Sequence, residues 1–176
     1  MLRSASRYAA PMSRSGPTRA GALADAAARA ALWIAYRVLL VAWFVFRPRR
    51  RGAYVAVWHR GRVLAIRNSY RGWLALPAGG MRRGETIEAT ARRELAEEVG
   101  IEAAPGALRF VCEIATTFEW KRDRCAFFEI DLAEPIVPRV DRREVVWAGF
   151  VSPQEALAAH LAPPVRIYLE KHGRRA

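Results

Sequence analysis

The chain has 176 residues and a 52% hydrophobic content, enough for one domain with its own core plus a tail, which excludes two full domains and wholesale disorder. Its formal net charge is +12, but residues 1–51 hold ten arginines against the single acid Asp25, whereas residues 52–176 hold 19 basic and 16 acidic residues. The basic excess thus belongs to the N-terminal segment, which argues against a dedicated nucleic-acid-binding domain, because such domains carry a basic face on the folded unit.

Residues 1–22 are rich in Ser, Arg, Ala, Gly and Pro, contain no acid, and read as a flexible basic tail. Residues 23–51 form the next unit: an apolar helical pattern from Leu23 to Phe46, stopped by Arg47 and Pro48, with the basic flank "RPRRR". Three readings of this helix stay open. It could span a bilayer, although the 17 residues from Ala30 to Phe46 fall short of the usual ~20 and contain Arg37. It could lie in the interface of an anionic membrane, Arg29 and Arg37 snorkelling and Trp33, Tyr36 and Trp43 at the boundary. It could pack on the domain's own apolar surface. The flank favours a cytoplasmic side for the domain that comes after it, so the expected location is the cytoplasm, with attachment to the cytoplasmic face of a membrane under either of the first two readings.

Residues 52–173 read as one mixed α/β domain. "AYVAVW" (53–58) and "RVLAIR" (62–67) form a hairpin around Gly61, and "WLAL" (73–76) is a third short strand. A helix is expected over Thr86–Val99, ended by Gly100. Runs at 107–118 and 124–132 form a second hairpin across "EWKRD", and 144–151 is a last strand. Ser152, Pro153 and Glu155 open a helix with a capping box, and a final helix covers Pro164–His172. Cys112 and Cys125 form no CxxC pair, do not face each other in that hairpin, and require no oxidising compartment. His59, His160 and His172 are scattered and carry no assigned chemistry.

One local feature needs explaining. Glu94, Glu97 and Glu98 crowd into five residues, and on a helix they share one face, with Cβ atoms ~5–6 Å apart. An uncompensated trio would repel, and a hard divalent cation such as Mg²⁺ reverses the sign of that interaction. The glycine-rich "PAGGMRRGE" before the helix lets main-chain groups approach the same place.

The full string runs Gly79, five residues, Glu85, seven residues, Arg93-Glu94-Leu95, one residue, Glu97-Glu98, one residue, Gly100-Ile101. It resembles the Nudix box of the Nudix hydrolase superfamily at every defined position, a match expected by chance about once in a million strings or less. The resemblance extends over about residues 52–172. It implies the Nudix fold, a mixed β-sheet sandwiched between helices, here with an extra N-terminal apolar helix. It also implies hydrolysis of a nucleoside diphosphate linked to another moiety, with Mg²⁺ or Mn²⁺ as cofactor. Carried over by position, Glu97 and Glu98 are metal ligands, Glu94 is a ligand or the general base, and the Ala78 carbonyl is a further ligand. Arg93 orients Glu94, and Glu85 supports the loop. Ala78 stands where a third glycine is common, a small departure at a position that serves through its backbone.

Family members often take one more acid from outside the box, for which Glu144 and Asp141 are the candidates. Arg67, Arg71, Arg82 and Arg83 could meet phosphates, and Trp73, Phe118 and Trp120 could stack on a base. Many relatives form homodimers, and this chain is compatible with one. Two other functions stay open: a non-catalytic nucleotide-sensing Nudix module, against which the intact acids argue, and lipid or RNA binding through the basic N-terminus.

Overall fold

A computed structural model describes residues 19–173. The first element, α1 (Arg19–Phe46), is the expected apolar helix, begun four residues before Leu23. It is followed by β1 (Arg49–His59), β2 (Arg62–Asn68), β3 (Leu74–Ala75), β4 (Ala78–Gly80) and α2 (Ile87–Val99). The hairpin β5 (Arg109–Phe118) and β6 (Lys121–Asp131), then β7 (Val145–Val151), α3 (Pro153–Ala158) and α4 (Pro163–His172), complete the chain.

Arg60 and Gly61 both take left-handed φ, +45° and +73°, and make the two-residue turn that joins β1 to β2. Such a turn matches the twist of the strands it connects. The two strands then diverge, pairing only through Trp58↔Val63 and His59↔Arg62. Below the hairpin tip β1 runs parallel to β6 from Arg49 to Trp58 and antiparallel to β4, while β2 takes β3 and β7 as antiparallel partners. The mixed sheet has the order β3-β2-β1-β6-β5, with β4 added on β1 and β7 on β2. β1 is buried without alternation from Val55 to Trp58, so both its faces are covered, as the parallel part of a sheet requires. On one face Tyr54 stacks on Phe127 and Phe127 on Tyr168 of α4, with centroids 4.9 and 4.5 Å apart. α2 packs on β1, β4 and β6, burying Ala91, Leu95 and Val99.

The expected stop at Gly100 and the expected capping box of α3 are both present. Gly100 ends α2 in the left-handed region at φ 72°, and α2 begins at Ile87, with Thr86 as its N-cap, Oγ1 accepting the Ala89 N–H at 3.1 Å. Ser152 and Glu155 exchange the two bonds of a capping box at the start of α3.

The second hairpin differs from the expectation. "EWKRD" is not a five-residue connection: the turn is Glu119-Trp120 alone, at φ +51° and +65°, and Lys121 already pairs with Phe118. Neither residue favours positive φ, and tertiary contacts hold them there. Tyr36 of α1 donates to Glu119 at 2.5 Å, Lys121 pairs with Glu119 at 3.0 Å, and Phe44 of α1 meets Trp120 edge-on at 5.0 Å. β1 also begins earlier than expected, at Arg49, because the basic flank joins the sheet beside β6. β4 has no apolar pattern of its own and forms because β1 lends it partners. Cys112 and Cys125 lie opposite Phe127 and Ile114 and are free thiols.

Candidate active site

Where β1 and β2 separate, a cleft of about 490 Å³ opens, lined from both strands, from the β3–β4 segment, from α2 and from α1. Its acidic end is built on α2. Glu98 is buried, and its Oε2 accepts the Ala78 N–H at 2.8 Å. Burial, and then the nearby Glu94 and Glu144 carboxylates, push the Glu98 carboxyl up to about 8. Glu94, 14% exposed, is raised for the same reason, burial first, with Arg93 opposing. Its carboxylate lies against the main chain of Gly79, where an added Cβ would stand 1.9 Å from Glu94 Oε1. Glu97, 50% exposed, is the most solvated of the three.

Arg93 fastens this group together. Its Nη1 donates to Glu94 Oε1 at 2.5 Å and to Glu97 Oε2 at 3.1 Å, its Nε to Glu85 Oε1 at 2.8 Å, and its Nη2 to the Gly80 carbonyl at 3.1 Å. Glu85 also accepts the Arg82 N–H and the Thr90 hydroxyl, both at 2.9 Å, so it closes the glycine-rich loop onto α2. These bonds, Arg93 foremost, lower the Glu85 carboxyl to about 2.

Outside the box, the two candidate acids separate. Asp141 Oδ1 accepts the backbone N–H groups of Arg143, Glu144 and Val145 at 2.9–3.0 Å, so its carboxylate is occupied in shaping the loop before β7. Glu144 instead takes a bond from the Tyr70 hydroxyl at 2.8 Å. Both border a small cavity of about 40 Å³ shared with Glu94, Glu97 and Glu98. Among the described residues no three of these groups stand at metal-ligand spacing; Glu94 and Glu97 are bonded to Arg93, Glu98 to the Ala78 N–H and Glu144 to Tyr70.

The remaining expected residues divide. Arg71 and Arg82 line the cleft, as do Trp73 and Phe118, which meet edge-on at 5.3 Å. Arg71 is not free for a phosphate: its guanidinium lies over the Tyr36 and Tyr70 rings and 3.5 Å from Glu119. Arg67 turns away from the cleft and sits over Trp147, because strand alternation points its neighbours Ile66 and Asn68 inward. Arg83 and Trp120 lie outside the cleft.

Several cleft residues carried no sequence motif. Asn68, buried at the end of β2, hydrogen-bonds Glu98, and Tyr70 holds Glu144; neither position has a sequence signal of its own. Leu39 and Trp43 of α1 form part of the wall. Trp43 lies 4.0 Å from the Lys121 ammonium, which is buried between Glu119 and Asp123.

The NUDIX domain family model matches residues 48–171. The chain belongs to the Nudix family. Membership makes it a hydrolase acting on phosphorus anhydrides, in a family that uses divalent metals. No curated protein matches the sequence. Among solved structures, the Nudix fold here is similar to a MutT NUDIX hydrolase of Burkholderia pseudomallei, with TM-score 0.62 and 24% identity over 70% of this chain and 98% of that one. It is similar also to a C. elegans Ap4A hydrolase, with TM-score 0.60 and 17% identity over 69% and 93%. A third similar structure is a bifunctional NMN adenylyltransferase/ADP ribose pyrophosphatase of Francisella tularensis, complexed with AMP and a Mn ion. There the TM-score is 0.57 and the identity 20% over 82% and 47%. α1 precedes the part of the chain that the Nudix model matches.

Proposed function

We propose that this Nudix hydrolase is a Mg²⁺-dependent pyrophosphohydrolase that cuts the diphosphate bond of a nucleoside diphosphate linked to another moiety. The observation that carries the reading is the gathering of Glu94, Glu97, Glu98 and Glu144 on one small cavity at the acidic end of a larger cleft.

The donor set fits a hard divalent cation: all oxygen ligands, one of them a carboxyl that burial, and then its neighbouring carboxylates, raise to about 8. Glu97, Glu98 and Glu144, with Glu94 and the Ala78 carbonyl, are the residues to hold Mg²⁺, or Mn²⁺ in its place. A cation bound there neutralises phosphate charge and lowers the pKa of an attacking water.

The chain's own groups supply the rest. Glu94, kept in place by Arg93 and Gly79, is set to serve as a ligand or to accept the proton of the attacking water. Arg51 and Arg82 border the cleft and can meet phosphate oxygens. The end lined by Leu39, Trp43, Trp73 and Phe118 offers aromatic and apolar faces to the nucleoside or its linked moiety. The intact acids favour turnover over a sensing role.

The test is incubation with Mg²⁺ and a panel of nucleoside diphosphate derivatives, following release of phosphate or mononucleotide. Hydrolysis of at least one member is expected, with a loss of about 100-fold or more in a folded Glu97→Gln variant. Binding of a panel member without any hydrolysis would favour the sensing module instead.

A further inference from the structure

The outer face of α1, and Arg49 at the start of β1, have no role in that reading. α1 meets the domain through one stripe, in which Tyr36 is 9% exposed and Trp43 is partly buried. Farther toward its N-terminus Asp25 pairs with Arg143 and Arg29 donates to the Arg142 carbonyl. On the opposite side Ile34, Val38, Val41 and Val45 recur at i, i+4, i+7 and i+11 and so form a single line along the helix. They are between 58% and 65% exposed. A soluble monomer seldom presents so continuous an apolar line. Arg37, stacked on Trp33 at 4.8 Å, stands beside this line.

The arginines pose the complementary problem. The parallel pairing of β1 with β6 sets Arg49 opposite Arg122 and Arg51 opposite Arg124. Like charges directly opposite on one sheet face are unfavourable. Glu113 compensates two of them, at 3.0 Å to Arg51 and 2.7 Å to Arg124. Neither Arg49 nor Arg122 has an ion-pair partner among the described residues. The groove they border has a volume of about 560 Å³ and is lined also by Thr116, Thr117 and the single acid Asp123. It begins three residues after Phe46, the last residue of α1 and the most exposed of its large apolar side chains.

A groove lined by five arginines and one acid, Asp123, close in sequence to an unpartnered apolar helix face, calls for a partner that is apolar and anionic at once. We infer that the outer face of α1 and this arginine groove together dock the enzyme on the surface of an anionic phospholipid bilayer. α1 lies in the interface with its inner stripe still on the domain. Gly21–Phe46 is long and apolar enough to cross a membrane. Spanning, however, would remove Tyr36 from Glu119 and Asp25 from Arg143 and carry Asp25, Arg29 and Arg37 into the bilayer. The docked arrangement keeps those contacts and brings the wall of the cleft, formed by Leu39 and Trp43, close to the membrane plane.

The test is vesicle flotation of the full chain, at low and high salt, on phosphatidylcholine alone and on phosphatidylcholine with phosphatidylglycerol. Two double variants carry the assignment: Val38→Asp/Val41→Asp on the apolar line, and Arg122→Ser/Arg124→Ser, which lies outside the N-terminal segment. All four positions are at the surface, and circular dichroism checks that each variant folds. The parent should float with the anionic vesicles and be released by salt. The arginine variant should bind about 25-fold more weakly, from about fivefold per arginine near an anionic surface, and the aspartate variant should remain at the bottom. Three results would overturn the inference. One is equal flotation by parent and both variants. Another is binding that alkaline carbonate cannot extract, which would mean spanning. The last is no flotation together with a dimer in light scattering that Val38→Asp/Val41→Asp dissociates, which would make the line a self-association face.

Discussion

Gly79→Ala is a one-methyl perturbation aimed at the geometry of Glu94. Gly79 lies in β4, paired with Ala53, and its φ is not in the left-handed region, so alanine there is unstrained by the backbone alone. The three heavy atoms nearest the added Cβ all belong to Glu94: Oε1 at 1.9 Å, Cδ at 2.1 Å and Oε2 at 2.6 Å. Ordinary contact begins at 3.4 Å, so the carboxylate must retreat by about 1.5 Å from its present place. A displacement of ~1 Å in a catalytic geometry costs about 10²-fold. The expected loss in kcat/KM is therefore at least about 100-fold, or ~2.7 kcal/mol of transition-state stabilisation. Glu94 can swing toward the cleft and leave the core intact, so Tm should move by no more than about 2–4 °C. The assay is mononucleotide release on the best substrate of the panel, with thermal unfolding alongside. The same substitution made on a Glu94→Ala background should have little further effect, because its target is gone. A Gly79→Ala enzyme within fivefold of the parent would refute the claim that the Glu94 position matters, and so would a full additional loss on the Glu94→Ala background.

Glu98 sets the pH dependence. Its carboxyl in the metal-free fold is raised to about 8, above the ordinary ~4.3, so the folded protein holds that proton more tightly than the unfolded chain does. Without metal, stability should fall as pH rises from about 4.3 through 8; Mg²⁺ should offset that loss, and its affinity should weaken as pH drops below about 8, as Tm against pH with and without Mg²⁺ will record. Glu98→Gln should flatten the profile. The two acids before β7 should behave differently: Asp141→Ala, which releases three loop amides, should lower Tm by about 2–4 °C, whereas Glu144→Gln should reduce the rate with Tm nearly unchanged. Trp43→Ala should raise KM for nucleotide substrates about tenfold with kcat little changed, and it should not alter the binding of Mg²⁺-methylenediphosphonate, which lacks a nucleoside.

The parts of this protein legible in the sequence are those that local chemistry decides. α2 is readable from Thr86, Gly100 and the absence of Gly and Pro between them, and α3 from its capping box, because a cap is satisfied within four residues. The clustering of Glu94, Glu97 and Glu98 on one helix face follows from periodicity alone, and the box string identifies the family. The features hidden from the sequence depend on partners far along the chain. The Glu119-Trp120 turn is held by Tyr36 and Phe44 from α1, more than 70 residues away. β4 exists only through β1, and Arg49–Arg51 join a strand because β6 is there to receive them. Arg67, expected to meet phosphate, instead lies on the face opposite Ile66 and Asn68, over Trp147, a placement fixed by the pairing of β2 with β7. Asp141 and Glu144 are chemically alike, three residues apart and both at the rim of the acidic cavity; only the loop geometry distinguishes Asp141, bonded to three backbone N–H groups, from Glu144, bonded to the Tyr70 hydroxyl.

The most direct measurement is the initial rate of mononucleotide release near pH 8, titrated with Mg²⁺ from a chelated start, for the parent and for Glu97→Gln. The rate should be absent in chelator and rise to saturation with Mg²⁺, and the variant should remain about 100-fold slower at an unchanged Tm. A full rate in chelator, or a variant as fast as the parent, would contradict the metal-bridged acidic site.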